Sequence, residues 1–475
     1  MSRKFWRSLV TAVAAMLLVT LAGQNLSAAD TIDERLAAAV YQEETAGNLG
    51  EAIKLYREIV RDGKDAATVA AKAHLRLARC LKKLGKQSDA RHELEQLIAG
   101  YPDVTDVVRQ AKAELESSMP LLAAPWKSGE RQTLVMKFAG GQTIGLIGLN
   151  ANLVQHEGRD AWRFGVHRYV LVGDNEGFSD VLVDADNNHP IRTVWQHLIL
   201  GNGTATYHDN EVVFDLTQPS AETKTVPLSG VTYSNDQVFF LLRQLPLSVG
   251  AEITLPICTE FAHMAMDIKL TVPKIESITT PAGTFECFRV EMNIGQTFWV
   301  ANDEQRSIVK FDAGAVIGEL ISTGDGQAEQ RDIGDGFSLT LPAGWHLATF
   351  ADAKLPRALI IAPAMCNVMV RVEERKEAGK LNAEQAQADR VNRLKKTLKS
   401  LVVRDNVDKK TELAGSDAVR IVYDHSFAKA NYVGDEVLAR TKEFDLLIAA
   451  QSEKSIYSEI VTELDALRAS LTHKE

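Results

Sequence analysis

The chain has 475 residues, 45% of them hydrophobic, and a formal net charge of −10. This apolar content is enough for packed cores and excludes global disorder. The acidic balance gives no electrostatic reason to bind phosphate backbones, so no nucleic-acid partner is expected. At ~150 residues per domain, the length suggests about three domains.

The first 29 residues have the features of a secretory signal peptide. Three cations stand among the first seven residues, the apolar run LVTAVAAMLLVTL follows at 9–21, and small residues precede Asp30. This run is shorter than the ~20 residues of a membrane span, so cleavage after Ala29 is favoured over a retained anchor. The pattern predicts a soluble exported protein, periplasmic or extracellular, with no transmembrane anchor after cleavage and a formal charge of −13.

Residues 30–119 have a helical pattern and repeat internally. GNLGEAIKLYREIV (47–60) aligns with GKQSDARHELEQLI (85–98) at a period of 38. The segment resembles the tetratricopeptide repeat, whose usual period is 34, and it predicts two units and a final helix near 104–118. Small residues that let paired helices cross closely are expected at Ala52, Ala78 and Ala90. The resemblance implies a protein partner bound through these repeats.

A large antiparallel β-domain is predicted at 131–322, after a linker at 119–130. Beyond the linker the hydrophobic period changes to two, in segments such as AWRFGVHRYVLV, DIKLTVPKIESIT and TFECFRVEMNI. A helix is predicted only at 234–246, where a polar cap precedes an apolar run that Pro246 ends.

The last segment, 333–475, mixes strands and helices after a second linker at 322–336. Strands are predicted at FSLTLP, RALIIA, NVMVRVEE, AVRIVYDHSF and EFDLLIAA. Apolar residues at helical spacing predict helices near 383–401 and 453–472. Helices that cover one face of an antiparallel sheet make an α+β domain.

Two further resemblances concern these domains. LLRQLPLSVGAEI, TTPAGTFECFRVE and TFWVANDEQRSIVKFDAGAVIGEL are similar to a family of uncharacterised exported bacterial β-domains, whose shape resembles the half-open sheets of lipoprotein carriers. GFSLTLPAGW (336–345) and the segment from EFDLLIAA onwards are similar to PsbP-like α+β domains. These resemblances imply an accessory or assembly role and carry over no catalytic residue.

Motifs that bear chemistry are incomplete. HELEQ (92–96) has Gln96 where a zinc helix needs a second histidine, and DADNNH (184–189) has His189 where a calcium loop needs glycine. His189, His197 and His208 leave a metal site as an open alternative to ordinary hydrogen-bonded histidines. No catalytic residue, metal ligand or cofactor is predicted.

The stretch ITTPAGTFECFRVEMN (278–293) predicts two strands joined by a turn at Pro281. This register places Cys287 near Glu276. A second turn near Ala262 would place Cys258 opposite Asp267, too far from Cys287 for a disulfide. We therefore expect no disulfide and a lone structural thiol at Cys287.

Three hypotheses follow. The first is a non-catalytic envelope protein that acts as a protein-interaction scaffold or accessory factor. The second is a periplasmic carrier that holds an apolar or lipid-like ligand in the β-domain, and the third is a hydrolase with an unrecognised site. For the carrier, large apolar residues on the strands are the candidate ligand-binding residues: Trp162, Phe164, Trp195, Phe288, Val290, Met292 and Phe298. A filled core of ordinary packing is the alternative for the same residues.

Overall fold

The computed structural model describes residues 31–63, 66–84, 86–117, 121–197, 201–208, 211–218, 220–228, 231–375, 382–398, 400–405, 409–427 and 430–474. The predicted signal peptide lies outside these residues. The chain forms two compact units, Met1–Met119 and Pro120–Glu475. Helices, then a large antiparallel sheet, then mixed strands and helices follow along the chain, which confirms the predicted fold class.

Helices make up the described part of the first unit: α1 Ile32–Glu44, α2 Leu49–Asp62, α3 Ala67–Lys83, α4 Gln87–Gly100 and α5 Thr105–Ser117. Thr31 begins α1 with a capping box, in which its side chain accepts the Glu34 N–H and the Glu34 carboxylate accepts the Thr31 N–H. The Asn48 side chain accepts a backbone N–H at the start of α2. These caps satisfy amide groups that the first helical turn leaves without a partner.

The helices pack as consecutive antiparallel pairs, and α3 also contacts α1 and α5. The three alanines predicted at close helix crossings, Ala52, Ala78 and Ala90, are fully buried. They belong to two apolar clusters, one centred on α1–α3 and the other on α3–α5. Short side chains at these places let neighbouring helices approach closely.

Fifteen described strands form one sheet: β1 Glu130–Phe138, β2 Thr143–His156, β3 Arg159–Val170, β4 Asn175–Asp184, β5 Pro190–His197, β6 Gly201–Tyr207, β7 Glu211–Gln218, β8 Glu222–Pro227, β9 Tyr233–Ser234, β10 Glu252–Thr259, β11 Met264–Thr280, β12 Gly283–Met292, β13 Thr297–Ala301, β14 Ile308–Asp312 and β15 Val316–Gly324. The order is β8 to β1 in sequence, then β15 back to β9. All neighbours are antiparallel except β9 and β10. Side chains of β5 and β6 meet those of β9 and β10, so the sheet curves until its two ends face each other.

The turn in the stretch around Cys287 follows the prediction. Thr280 pairs with Gly283, and Glu276 pairs with Cys287. The preceding turn differs, because Thr259 pairs with Met264 and Cys258 faces Ala265 rather than Asp267. The two-residue error comes from centring that turn at Ala262, whereas the hairpin loop is residues 260–263.

One helix, α6 Val238–Gln244, lies within the predicted 234–246 segment. It is shorter than predicted because Ser234 is already part of β9. Phe240, Leu241 and Leu242 on α6 are buried, so the helix covers part of the apolar side of the sheet.

The described residues of the C-terminal part form two sheets and two helices. Strands β16 Glu329–Gly334, β17 Phe337–Leu341 and β26 Thr472–His473 form a small sheet. The larger sheet contains β18 His346–Thr349, β19 Ala358–Ile361, β20 Cys366–Glu374, β21 Val402–Val403, β22 Lys410–Leu413, β23 Ser416–Phe427, β24 Ala430–Arg440 and β25 Phe444–Glu453. The helices are α7 Ala383–Thr397 and α8 Tyr457–Ala469, and α8 buries its apolar face in a core that includes Trp345.

Six C-terminal strands were not predicted from the sequence: β16, β18, β21, β22, β24 and β26. β24 contains Asp435 and Glu436, which interrupt the apolar pattern although both are buried. Arg420 forms a two-bond ion pair with Asp435, and Arg390 does the same with Glu436. Buried carboxylates need such partners, and these come from elements that are distant in sequence. β16 lies in the segment 322–336 that was predicted as a linker.

Candidate functional site

Helix α3 is the most basic surface of the repeats. It carries five cations and no acidic residue: Lys72, Arg76, Arg79, Lys82 and Lys83. Carboxylates from the flanking helices offset part of this charge. Arg76 contacts Glu43 and Glu44 of α1, and Arg79 contacts Glu114 of α5 at 2.7 Å. The five cations exceed these three carboxylates, so the face keeps a positive balance.

Glu43 ties this basic face to the core of the repeats. Its carboxylate accepts hydrogen bonds from the buried Tyr56 hydroxyl at 2.7 Å, from Lys83 at 3.0 Å and from Arg76 at 3.1 Å. Burial alone would raise its pKa, but these three hydrogen bonds outweigh burial and lower it. The carboxylate is therefore ionised at neutral pH and fixes α1 against α2 and α3.

The apolar side of the β-domain holds an aromatic group that includes two of the predicted ligand-binding residues. Phe164 stacks on Phe240 of α6 with ring centroids 4.0 Å apart. Trp126 meets Phe164 and Trp162 edge to face at 5.3 and 6.0 Å, and the Arg243 guanidinium lies over its ring. Trp126 comes from the segment predicted as a linker and is only 4% exposed, so this segment packs into the domain.

The other predicted ligand-binding residues do not join this group. Phe298 packs with Phe239 and Phe311, and Trp195 packs edge to face on Phe214 at 6.2 Å. The remaining three predicted residues are Phe288, which lies under the Arg306 guanidinium, and the buried Val290 and Met292. The seven residues thus line separate parts of the interior, where side chains of this chain contact them.

A buried polar cluster lies where the two ends of the sheet face each other, and sequence patterning did not identify it. Glu260 follows β10 and is 2% exposed. Its Oε1 accepts hydrogen bonds from the Ser234 hydroxyl, at the end of β9, and from the Tyr207 hydroxyl of β6 at 3.3 Å. Its Oε2 has no hydrogen-bond partner among the described residues. Burial and the nearby Asp236 carboxylate raise the Glu260 pKa to about 7.

Nothing in the sequence around Glu260 marks it as buried. It stands between the apolar run of β10 and Phe261, at a position that reads as an ordinary turn. Its partners Tyr207 and Ser234 precede it by 53 and 26 residues. Only the curvature of the whole sheet brings the three side chains together.

The β-domain and the larger C-terminal sheet share a buried polar contact at His346. Thr133 Oγ1 lies 2.9 Å from the His346 Nδ1, and Asn150 Oδ1 lies 2.7 Å from its Nε2. Asn150 donates its amide N–H to the Gly344 carbonyl, so its oxygen faces the ring. His346 is therefore neutral, with its proton on Nε2 and Nδ1 accepting from Thr133. The ring lies against Gly148, where a Cβ would stand 2.2 Å from Cδ2.

A second buried pair reinforces this contact. His167 Nε2 lies 2.9 Å from Glu176 Oε1, and its Nδ1 contacts the Ala362 carbonyl. Asn367 donates to the other Glu176 oxygen at 3.2 Å. Burial raises the pKa of Glu176, although the contact with His167 opposes this shift. The Glu176 carboxyl group and the His167 imidazole thus form a hydrogen-bonded contact that is sealed from water.

The motifs weighed in the sequence have structural roles. Glu93 of HELEQ lies 3.2 Å from His74 Nε2. Cys287 is buried, and burial raises its pKa to about 12, a value that disfavours the reactive thiolate. The four cysteines are free thiols. Within the described ranges, no group of three or more His, Cys, Asp or Glu side chains has the arrangement of a metal site.

Comparison with known families supports the predicted composition. Residues 45–115 match the tetratricopeptide repeat family, and residues 183–323 match the family described as a protein of unknown function (DUF3108). The first match falls in the predicted repeat segment, and the second covers most of the predicted β-domain and ends one residue beyond it. The chain is therefore similar to tetratricopeptide repeats in its first part and to an uncharacterised family in its β-domain. No curated protein sequence matches the chain.

Several solved structures match parts of the chain. LpqN, involved in cell envelope biogenesis of Mycobacterium tuberculosis, is 13% identical, with 31% of this chain and 91% of that chain covered and a TM-score of 0.26. Cyanobacterial PsbP from Synechocystis sp. PCC 6803 is 12% identical, with coverages of 32% and 95% and a TM-score of 0.26. The β-barrel-like DUF1849 protein of Brucella abortus is 14% identical, with coverages of 41% and 96% and a TM-score of 0.30.

Membrane crossing by a helix finds no support in the parts of the chain that the structure describes. None of the helices there combines the length and the apolar composition that a bilayer span requires.

Proposed function

We propose that this is an exported, non-catalytic envelope protein whose helical repeats bind a partner protein and whose β-domain and C-terminal domain act as an accessory module. The observation that carries the proposal is the basic face of α3. Tetratricopeptide repeats serve protein interaction, and in this chain the repeats present an excess of cations on that face. The partner that fits this face is an acidic protein segment. Electrostatic complementarity of this kind sets specificity and association rate.

Two exposed residues, one on α3 and one on the neighbouring α1, are suited to substitution. Lys72 is exposed and lies one helical turn before Arg76, and Tyr41 on α1 is 57% exposed one turn before Glu44. Among the described residues, neither side chain takes part in a hydrogen bond or ion pair. An aromatic ring beside cations is a common anchor for a peptide segment.

The test is capture of a partner from an envelope extract by the tagged full-length protein, followed by mass spectrometry. Lys72→Glu and Tyr41→Ala should each weaken capture of the same protein, while circular dichroism stays unchanged. Lys54→Glu on α2 is the matched control, because Lys54 is 64% exposed and pairs, among the described residues, with Glu51 of its own helix. Equal capture by all variants, or equal loss in the control, would refute binding through the α3 face.

The carrier remains a second proposal because the two ends of the large sheet meet through side chains. β8 and β9 are the ends of the strand order and do not pair with each other. Apolar side chains lie behind this junction: Trp195, Ala205, Val212, Phe214 and Cys258. A junction without a backbone ladder can separate at lower cost than a paired one. Binding of an environment-sensitive apolar dye to the full-length protein, or a co-purified lipid, would support the carrier, and the absence of both would refute it.

A further inference from the structure

The hairpin between β10 and β11 ends in a partly exposed apolar tip. Residues 259–266, here called the flap, include Phe261, Met264 and Met266, which are 37%, 45% and 37% exposed. The flap is held internally by bonds from the His263 N–H to the Thr259 carbonyl and from the Ala262 N–H to the Thr259 hydroxyl. It is therefore a preformed hairpin that can move as one piece.

Contacts of the flap with the opposite end of the sheet are made by side chains. Phe261 meets the His197 ring edge to face at 5.9 Å, and His263 meets Phe214 at 5.1 Å. Behind them Trp195, Val212 and Phe214 are at most 2% exposed. Separation of the flap would uncover this apolar wall. It breaks only the backbone pairs at the base of the hairpin, Ala265 with Cys258 and Met266 with Ile257, so the amides there exchange when the flap opens.

Glu260 holds the flap closed through hydrogen bonds. Its carboxyl group reaches from the flap into the interior, where Ser234 and Tyr207 donate to a single oxygen. The second oxygen is buried and has no side-chain partner among the described residues. Hydrogen bonds from Ser234, from the backbone of Glu260 and from Tyr207 favour the carboxylate, but burial and the Asp236 charge outweigh them, so the neutral carboxyl group is favoured in this position. Ionisation therefore disfavours the closed flap.

The charges around Glu260 act in the same direction. Asp236 lies close enough to oppose a second negative charge, and the Cys258 thiol and the Tyr207 hydroxyl stay neutral because burial raises the pKa of each. Arg168 is paired with Asp236. Burial first, and then Arg168, lowers the pKa of the neighbouring His197. None of these groups supplies a free cation to a Glu260 carboxylate in the closed state.

We propose that residues 259–266 are a pH-operated flap over an apolar site, closed while Glu260 is neutral and released when Glu260 ionises in water. The ligand class is an apolar, lipid-like small molecule that packs on Trp195 and Phe214. The identity of this ligand rests on the carrier proposal, whereas the motion of the flap does not.

The size of the effect follows from proton linkage. A group that titrates near pH 7 in the closed state and near 4.5 in the open state raises the opening constant ~70-fold between pH 5 and pH 8. The increase levels off above the closed-state value. A flap without a titrating group would show no such change.

Hydrogen–deuterium exchange of the full-length protein measures this constant. Exchange of peptides that cover 259–266, corrected for the intrinsic rate at each pH, should show the ~70-fold rise in the wild type. Glu260→Gln, which is neutral at every pH, should abolish it. Asp180→Asn is the matched control, since burial also raises the pKa of this β4 carboxyl and its loss should leave the rise intact. A wild type without the rise, or a Glu260→Gln variant that keeps it, would overturn the flap.

A second variant covers the case in which Glu260→Gln does not fold. Tyr207→Phe removes one donor to the carboxylate and should move the midpoint of the exchange transition to higher pH, and an unchanged or lower midpoint would contradict the role of Glu260.

Apolar dye added in parallel separates the two proposals. Dye binding that rises with opening supports the apolar site, whereas opening without dye binding would refute the ligand and leave the flap motion.

Discussion

Replacing His346 with leucine should destabilise the contact between the β-domain and the C-terminal sheet. Leucine fills part of the ring volume but leaves the Thr133 hydroxyl and the Asn150 side-chain oxygen without their partner. Both residues are almost fully buried, at 1% and 4% exposure. A buried polar group that loses its partner costs ~1–3 kcal/mol, so the free energy of unfolding should fall by about 2–6 kcal/mol.

The pH dependence of the unfolding free energy distinguishes the effect of His346 from a general loss of packing. Burial, and then the positive charge of Arg131, lowers the pKa of His346 well below its usual 6.5. The unfolded chain therefore binds a proton below pH 6.5 that the folded chain does not. The contribution of His346 to stability is complete above pH 6.5 and should decrease by ~1.4 kcal/mol between pH 7.5 and pH 5.5.

Tryptophan fluorescence during urea unfolding measures this effect in the second unit. Apart from Trp6 in the predicted leader, all tryptophans lie beyond residue 120: Trp126, Trp162, Trp195, Trp299 and Trp345. His208→Leu is the control, since His208 is exposed and a surface change should stay within ~0.5 kcal/mol. A His346→Leu variant as stable as the wild type, with the same pH profile, would refute this account of the contact.

Three further predictions concern other parts of the chain. Ala52→Arg should reduce helix content measured by circular dichroism and leave tryptophan fluorescence unchanged, because overpacking and a buried charge act within the first unit; unchanged helicity would contradict the predicted crossing. Mass mapping under non-reducing conditions should find no peptide that links Cys258 to Cys287, and such a peptide would show the β10–β12 register to be wrong. N-terminal sequencing of exported protein should begin at Asp30, and an intact Met1 would exclude cleavage.

Local patterns predicted the helices and part of the strands, whereas the sites depend on contacts that are distant in sequence. The repeats of the first unit can be recognised from the sequence because Ala52 and Ala90 occupy matching positions 38 residues apart. The turn at Pro281 is also local, and its register with Glu276 and Cys287 follows directly. The hydrogen bond between Tyr207 and Glu260 is not local, because it requires the curvature of a sheet of fifteen strands.

Charged residues inside strands explain the missed β24. Asp435 and Glu436 reduce the apolar signal of the strand, and only the folded structure brings Arg420 and Arg390 to them. Trp126 was assigned to a linker for the converse reason. It is a lone tryptophan between prolines and charged residues, and α6 and β3 supply its contacts.

The two buried titratable groups, His346 and Glu260, should oppose each other over one pH range. His346 makes stability rise with pH up to 6.5, since the unfolded state binds the extra proton. Glu260 makes stability fall between pH 4.5 and about 7, since the folded state keeps the extra proton. Their contributions therefore nearly cancel between pH 4.5 and 6.5.

Single substitutions should separate the two effects. His346→Leu leaves Glu260 unopposed, so the unfolding free energy of this variant should decrease by up to ~3 kcal/mol as pH rises from 4.5 to 7. Glu260→Gln keeps the His346 contribution without that of Glu260, so the slope of its stability with pH should be more positive over pH 4.5–6.5 than the slope of His346→Leu. Burial also raises the pKa of Glu176, which makes both slopes more negative by the same amount and does not change the difference between them. Urea titrations followed by tryptophan fluorescence give the unfolding free energy of both variants as a function of pH. If the slope for Glu260→Gln were more negative than the slope for His346→Leu, these two groups would not determine how stability depends on pH.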